Sequence, residues 1–164
     1  MPKKKRSLFN RKSAKYITYV ITFLIIGFAL YALIRKPEDT ISPAAYTKKY
    51  NAVYQYIHDG DTAVFTIEDG KEVICRFLAV DTPEIGEEGY EEAKHFTDQR
   101  LEKASRIILE IDPNSEEYDK FDRLLAWVWV DGMLLQKELI ENDLAQIRYI
   151  YNEYLYLDYL NSLK

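Results

Sequence analysis

Two short stretches concentrate residues able to handle a divalent cation and a phosphate: His58–Thr62, reading HDGDT, and Cys75–Glu84, reading CRFLAVDTPE. Asp61 opens one apolar run and Asp81 closes another, so a curled sheet can bring both carboxylates to one end. Hard oxygen ligands converging there suit calcium or magnesium. Taken singly, Asp59-Gly60 and Asp81-Thr82-Pro83 also read as ordinary turn chemistry. The arginines shift the balance. Arg76 interrupts an apolar run five residues before Asp81, and Arg123 stands directly before the uncharged LLAWVWV. Guanidinium offers paired donors that match phosphate oxygens, so two strand arginines beside two carboxylates have the makings of a phosphate clamp. Glu84, immediately after Thr82-Pro83, is the natural base for an attacking water.

Such a set needs a scaffold that gathers distant segments at one end. From Val53 to Val80 the chain alternates or runs apolar with β-branched and aromatic residues, broken at Asp59-Gly60 and Asp69-Gly70. This predicts three strands, the last two joined over an Asp-Gly turn. Residues 91–105 (EEAKHFTDQRLEKAS) carry apolar side chains near helical spacing among charges, which predicts an amphipathic helix. Arg106 to Ile111 and Leu124 to Val130 read as two further strands, Leu134 to Asn142 as a second helix and Tyr154 to Leu163 as a third. The expected class is α+β, mainly β: a five-stranded barrel of the oligonucleotide-binding-fold kind with three helices.

Net charge is −5 over 164 residues, but the distribution is lopsided. Residues 1–36 hold nine Lys or Arg and no acid, leaving thirteen basic against 27 acidic residues and a charge of about −14 downstream. Bulk electrostatic attraction to a polyanion is therefore excluded, and any chemistry on one needs a local cation. Cys75 is the single cysteine, so neither an intrachain disulfide nor a thiolate zinc cluster can form. Tyr16 to Ile34 runs nineteen residues without a charge, long enough to cross a bilayer core of about 30 Å as a helix. The reading is a basic cytoplasmic N-terminus (1–15), a single transmembrane anchor in the cell membrane (16–34), a linker (35–48) and a folded domain (49–164) outside. A cleaved signal peptide, giving a secreted protein, is the alternative.

The ordered set DGDT, R-x4-DTPE, DKFDRLLAW and Y-x-Y resembles the staphylococcal nuclease (thermonuclease) family across about residues 50–164. The resemblance implies a five-stranded barrel with three helices and calcium-dependent hydrolysis of DNA and RNA, leaving 3′-phosphate ends. It implies Asp61 and Asp81 as carboxylate ligands and the Thr82 backbone carbonyl as a third. Glu84 would be the general base, and Arg76 and Arg123 would hold the scissile phosphate. Lys120 matches a position that contacts a terminal phosphate, and Tyr149 and Tyr151 match a pair flanking the nucleotide. A period-two tyrosine pair presents both rings to one face of an extended segment, which suits base stacking. His58 and His95 match no catalytic place and read as surface or packing residues, and no obligate protein partner is implied. The chain departs from the pattern at Asp122, where glycine usually precedes the arginine. Aspartate tolerates a left-handed backbone, so the turn survives. The loop IGEEGYEE is short and acidic, and the third helix stops at Lys164, sooner than the family pattern. The alternative functions are a catalytically weak nucleic-acid-binding module or a membrane-tethered adaptor on the same barrel.

Overall fold

The computed structural model describes residues 17, 19–27 and 41–163. The chain divides into two units, 1–40 and 41–164. In the first, residues 17 and 19–27 are helical. Of the membrane span expected over 16–34, residues 16, 18 and 28–34 lie outside the described residues, among which no helix is long and apolar enough to cross a membrane.

The second unit is built on five strands: β1 (Lys49–Asp59), β2 (Thr62–Ile67), β3 (Glu72–Phe77), β5 (Ile107–Glu110) and β6 (Leu124–Val130). Antiparallel pairs run β3-β2-β1-β5-β6, and a parallel pairing of β3 with β6 closes the barrel. These are the five strands predicted from the sequence. Two register shifts bend β1, so that Ala52 to Asp59 face β2 while Lys49 to Ala52 face β5. Extra residues in one strand increase local twist, which a small closed sheet requires. Along β3 the side chains alternate strictly: Val73, Cys75 and Phe77 point into the core, and Glu72, Ile74 and Arg76 point out. β6 is buried almost throughout because helices and loops cover its outer face.

Short pieces complete the unit: β4 (Val80–Asp81), β7 (Met133–Leu134), β8 (Gln146–Ile147), α1 (Tyr90–Glu102), α2 (Leu135–Glu141) and α3 (Leu157–Asn161). β7 follows β6 through Asp131-Gly132, both at positive φ (52° and 87°), the conformation a two-residue hairpin turn demands. In α2 the buried Gln136 bonds both the Val128 N–H and the Ala126 carbonyl, doing for β6 what a neighbouring strand would do.

The third helix is shorter than the expected Tyr154–Leu163. Tyr154 and Tyr156 turn into the core instead, packing edge-on against Trp127, with Tyr156 also against Trp129, and α3 begins only after them. Residues 41–48, read from the sequence as linker, are bonded to the barrel. The Ala44 N–H donates to Glu110 Oε1 at 2.8 Å, and Ile111 donates to the Lys48 carbonyl at 2.9 Å. Glu110 and Asp112 are both fully buried. Glu110 accepts from Trp129 Nε1 (2.7 Å) and the Tyr156 hydroxyl (3.0 Å), and Asp112 from Trp127 Nε1 and the Leu155 N–H (both 2.8 Å).

Candidate active site at the barrel mouth

Strand register explains how the site assembles. Thr62 lies opposite Arg76 in the β2–β3 pair, and Phe77 donates to the Asp61 carbonyl at 2.9 Å, so Asp61 sits beside Arg76. In the parallel β3–β6 pair Arg76 lies opposite Leu125, two residues past Arg123. Alternation puts Arg76, Leu125 and Arg123 in the same outward phase. The two arginines predicted to act together therefore lie side by side at one end of the barrel, Arg76 on β3 and Arg123 directly before β6.

Gly60 closes the turn that presents Asp61. A Cβ there would stand 2.8 Å from the Thr82 side chain and 2.9 Å from the Ala93 Cβ, and the Gly60 carbonyl accepts from Thr97 Oγ1 at 2.7 Å. The glycine of HDGDT is needed less for a turn than for close docking of that turn against α1 and the 81–83 loop.

Arg76 joins the two carboxylates. Its Nη2 is 3.1 Å from Asp61 Oδ2 and 3.5 Å from Asp81 Oδ1, while Nη1 donates to the Phe77 and Val80 carbonyls at 2.9 and 2.8 Å. Asp61 also accepts from the Thr82 N–H at 2.9 Å and from the Thr62 hydroxyl at 3.1 Å. Burial pushes the Asp61 carboxyl up to about 7, against the pull of the Arg76 guanidinium. Asp81 meets a second cation on its other oxygen, with Arg148 Nε at 3.8 Å from Oδ2. The Cys75 thiol, wholly buried on the inner face of β3, is pushed up by burial and carries no reactivity.

Arg123 is held by a different acid. Its Nε and Nη2 lie 2.8 and 2.7 Å from Asp119 Oδ2, and its N–H and that of Phe121 both donate to Asp119 Oδ1 at 2.9 Å. Burial alone would raise the Asp119 carboxyl, but the Arg123 N–H, its guanidinium and the Phe121 N–H outweigh it and hold the group below the ordinary value. Asp122 has φ 62°, the left-handed conformation expected of it.

A cavity of about 680 Å³ is lined by Arg76, Glu84, Lys120, Arg123, Tyr149 and Tyr151, with Asp119 and Phe121 among its other walls. The Tyr149 ring lies 5.5 Å from Arg76 Cζ. The segment is not extended there, as its period-two spacing suggested: Tyr149 has φ 57°, and β8 ends at Ile147. Both rings reach the cavity, but through a left-handed kink. His58 packs edge-on against Tyr56, and His95 bonds Gln99 within α1, both away from the cavity.

The sequence profile described as staphylococcal nuclease homologue matches residues 74–163, more than half of the chain. The chain belongs to this family. The matched stretch includes Arg76, Asp81, Thr82, Glu84, Lys120, Arg123, Tyr149 and Tyr151, whereas Asp61 lies upstream of it. Among curated relatives, endonuclease YncB of Bacillus subtilis (strain 168) is 35% identical over 109 residues, covering 63% of this chain and 51% of that protein. The SPbeta prophage-derived endonuclease YokF of the same organism is 34% identical over 98 residues, covering 57% and 32%. The thermonuclease of Staphylococcus hyicus is 32% identical over 104 residues, covering 60% and 59%. The chain thus spans between 32% and 59% of the length of these curated relatives.

Three neighbours of the family site escaped the sequence reading. Asp119 was hidden because a lone loop acid carries no sign that it will hold an arginine four residues on. Phe121, 67% exposed, lies under both Lys120 and Arg123, at 4.9 and 5.5 Å. Arg148 reaches Asp81 only through the β4–β8 pairing, a two-residue ladder that periodicity cannot reveal.

Proposed function

We propose that this chain is a calcium-dependent nuclease that hydrolyses phosphodiester bonds of DNA and RNA and leaves 3′-phosphate ends. The observation that carries the reading is the single cavity into which Arg76, Arg123, Glu84, Lys120 and two tyrosine rings converge, with the Asp61–Asp81 pair within reach of Arg76.

The residues fit a hard cation. One Arg76 nitrogen contacts both carboxylates, so the two acids face one small space already taken by positive charge. Among the described residues no three acidic, histidine or cysteine side chains converge. Asp61, Asp81 and the Thr82 carbonyl would therefore hold an ion that keeps waters and takes substrate oxygens, as calcium with its six to eight ligands does. Bound there, the ion would neutralise phosphate charge and stabilise the pentacoordinate state.

The chain's own groups supply the rest. Glu84 takes a proton from a water as its oxygen bonds to phosphorus, and the bond from phosphorus to the 5′-oxygen breaks, that oxygen gaining a proton from solvent. Arg76 keeps Nη1 on its two carbonyls and turns Nη2 to the phosphate when the carboxylates engage a cation. Arg123, oriented by Asp119, donates to a second phosphate oxygen, and this preorganised charge is strongest where it develops in the transition state. Lys120 meets a neighbouring phosphate, and Tyr149 and Tyr151 flank the base.

The test is digestion of single- and double-stranded DNA and RNA by the full chain in calcium or in excess chelator, with end-group analysis of the products. Hydrolysis in chelator overturns the mechanism, and binding without hydrolysis favours the weak binding module. The apolar run 16–34 is proposed to anchor the protein with its catalytic unit outside the cell. Protease added to intact cells should then digest that unit and spare residues 1–15.

A further inference from the structure

We propose that Arg148 is a third phosphate-binding arginine, gripping the nucleic-acid backbone at a phosphate adjoining the scissile one. The inference rests on the nuclease reading and assigns that site a residue beyond those its chemistry required.

The backbone at 148 is locked in place. Ile147 and Gln146 pair with Val80 and Asp81, and the Arg148 N–H donates to the Ala79 carbonyl at 3.1 Å. The side chain therefore lies over Asp81, on the oxygen that Arg76 does not use. Two guanidinium groups thus flank one carboxylate, and they are unequal. Arg76 is 12% exposed and fixed through Nη1 on two carbonyls, while Arg148 is 57% exposed.

The fold gives Arg148 little to do. Its contact with Asp81, at 3.8 Å, is well beyond the ~2.7–2.9 Å of a charge-assisted hydrogen bond. Its other side-chain partner is Gln146 Oε1 at 3.3 Å, leaving Nη1 with no partner among the described residues. Exposed pairs of this kind stabilise a protein little. A paired-donor group on a loose tether beside a site for phosphate is what a moving anion can capture.

Position and charge name the ligand. Arg148 is the residue before Tyr149, which lines the cavity and stacks near Arg76, yet Arg148 itself is not in the cavity wall. A cavity that holds one nucleotide leaves the next phosphate of a polymer outside it, on the Asp81 side, where this guanidinium stands. The surround is hostile to that phosphate, since Glu84, Glu87, Glu88, Glu91 and Glu92 crowd the following loop and helix start. Of the two guanidinium groups on Asp81, Arg148 is the exposed one and so the one placed to offset that repulsion outside the cavity.

The experiment uses the full chain carrying Glu84→Gln in calcium, which slows cleavage about 10²–10³-fold so that binding is read before the substrate is cut. Binding of a ten-nucleotide single-stranded DNA and of a deoxynucleoside 3′,5′-bisphosphate is followed against salt. Arg148→Ala should weaken oligonucleotide binding about fivefold at low salt and flatten the slope of log affinity against log salt by ~0.7, the loss of one phosphate contact. Arg148→Lys should keep the slope, and the mononucleotide should bind all three proteins alike. With Glu84 restored, Arg148→Ala should raise KM for oligonucleotide and leave kcat unchanged. An unchanged slope while the parent binds well overturns the proposal. So does a lowered kcat with a raised calcium requirement, which would place Arg148 as a positioning residue for Asp81. A wild-type chain that neither binds nor cuts nucleic acid removes the nuclease reading, and this one with it.

Discussion

Asp61 and Glu110 are almost equally hidden from water, at 5% and 0% exposure, yet they are held by opposite kinds of partner. Glu110 sits among fixed donors: an indole N–H, a tyrosine hydroxyl, the Ala44 backbone and the Thr47 hydroxyl, with Lys49 Nζ at 3.9 Å. Both carboxylate oxygens are held by donors fixed in the fold, and such a network specifies one arrangement. Asp61 has one backbone N–H and one hydroxyl, and its remaining partner is a guanidinium that it shares with a second acid. Burial of an acid is therefore no mark of a site. A cation shared with a second acid is the better mark. Asp61 has one in Arg76, whereas the Lys49 beside Glu110 is shared with no other acid among the described residues.

The comparison breaks most visibly if each region is damaged separately. Arg76→Lys, Arg123→Lys or Glu84→Gln should each lower kcat about 10²–10³-fold with little change in melting temperature, since lysine cannot present paired donors and glutamine cannot take a proton. Glu110→Ala should do the reverse. It leaves the buried Trp129 indole N–H without an acceptor, while the Ala44 N–H and the Tyr156 and Thr47 hydroxyls each keep one other partner. The cost is about 1–3 kcal/mol, which corresponds to a midpoint lowered by several degrees. Turnover per folded molecule should stay unchanged. Steady-state kinetics beside thermal unfolding decide it, and a kinetic defect in folded Glu110→Ala would remove the distinction.

The pH dependence of stability sharpens the same contrast. Asp61 has its folded value raised to about 7 from 3.8, so between those values the folded state holds a proton that the unfolded state has lost. Stability must then fall as pH rises across that window, by up to ~1.4 kcal/mol per pH unit for a single group. Below about 4 the effect is absent, and above about 7 it is complete and flat. Melting curves of the metal-free chain from pH 4 to 8 should show this decline, and Asp61→Asn should remove most of it. Equal slopes in the two proteins would mean that Asp61 is ionised throughout.

Much of the candidate site's geometry was legible because charged residues interrupt otherwise regular apolar patterns. Arg76 stands out as the cation of β3, at the end of the strand and five residues before Asp81. Glu110 was unreadable for the opposite reason. It closes a strand of ordinary composition, and only the closed barrel brings Trp129, Tyr156 and the 41–48 segment around it. The five strands followed from local alternation, but the parallel β3–β6 closure and the β4–β8 pair join residues far apart in sequence, and neither has a local signature. Tyr154 and Tyr156 read as helix residues, although an i, i+2 pair does not share a helix face; two tryptophans from β6 claim their rings instead.

Asp119 lies between the two compared acids. It is rigidly bonded through backbone N–H groups like Glu110, and it holds an arginine like Asp61. Asp119→Asn keeps an oxygen for the two N–H donors and loses the charge that orients Arg123. The expected result is a loss of about tenfold in kcat, ~1.4 kcal/mol of transition-state stabilisation, with a melting temperature within a few degrees of wild type. A tenfold rise in KM at constant kcat would show that Asp119 acts on binding and not on the reacting phosphate.

The smallest effect belongs to Asp122, which the comparison places in neither group. Its carboxylate accepts no hydrogen bond among the described residues and makes only a distant electrostatic contribution to Lys71. What the position requires is its backbone, at φ 62°, with the N–H donated to the Asp119 carbonyl at 3.0 Å. Glycine adopts that conformation without the Cβ penalty, but it also loses more freedom on folding, and the two effects nearly cancel at well under ~1 kcal/mol. Asp122→Gly should therefore shift the melting temperature by no more than about 2 °C. Removing a negative charge next to Arg123 should leave kcat the same or raise it by about twofold, with the gain shrinking as salt screens the charge. Kinetics at low and high ionic strength measure this directly. A large loss of activity in Asp122→Gly would mean that an acid with no bonded partner here acquires one when substrate is bound.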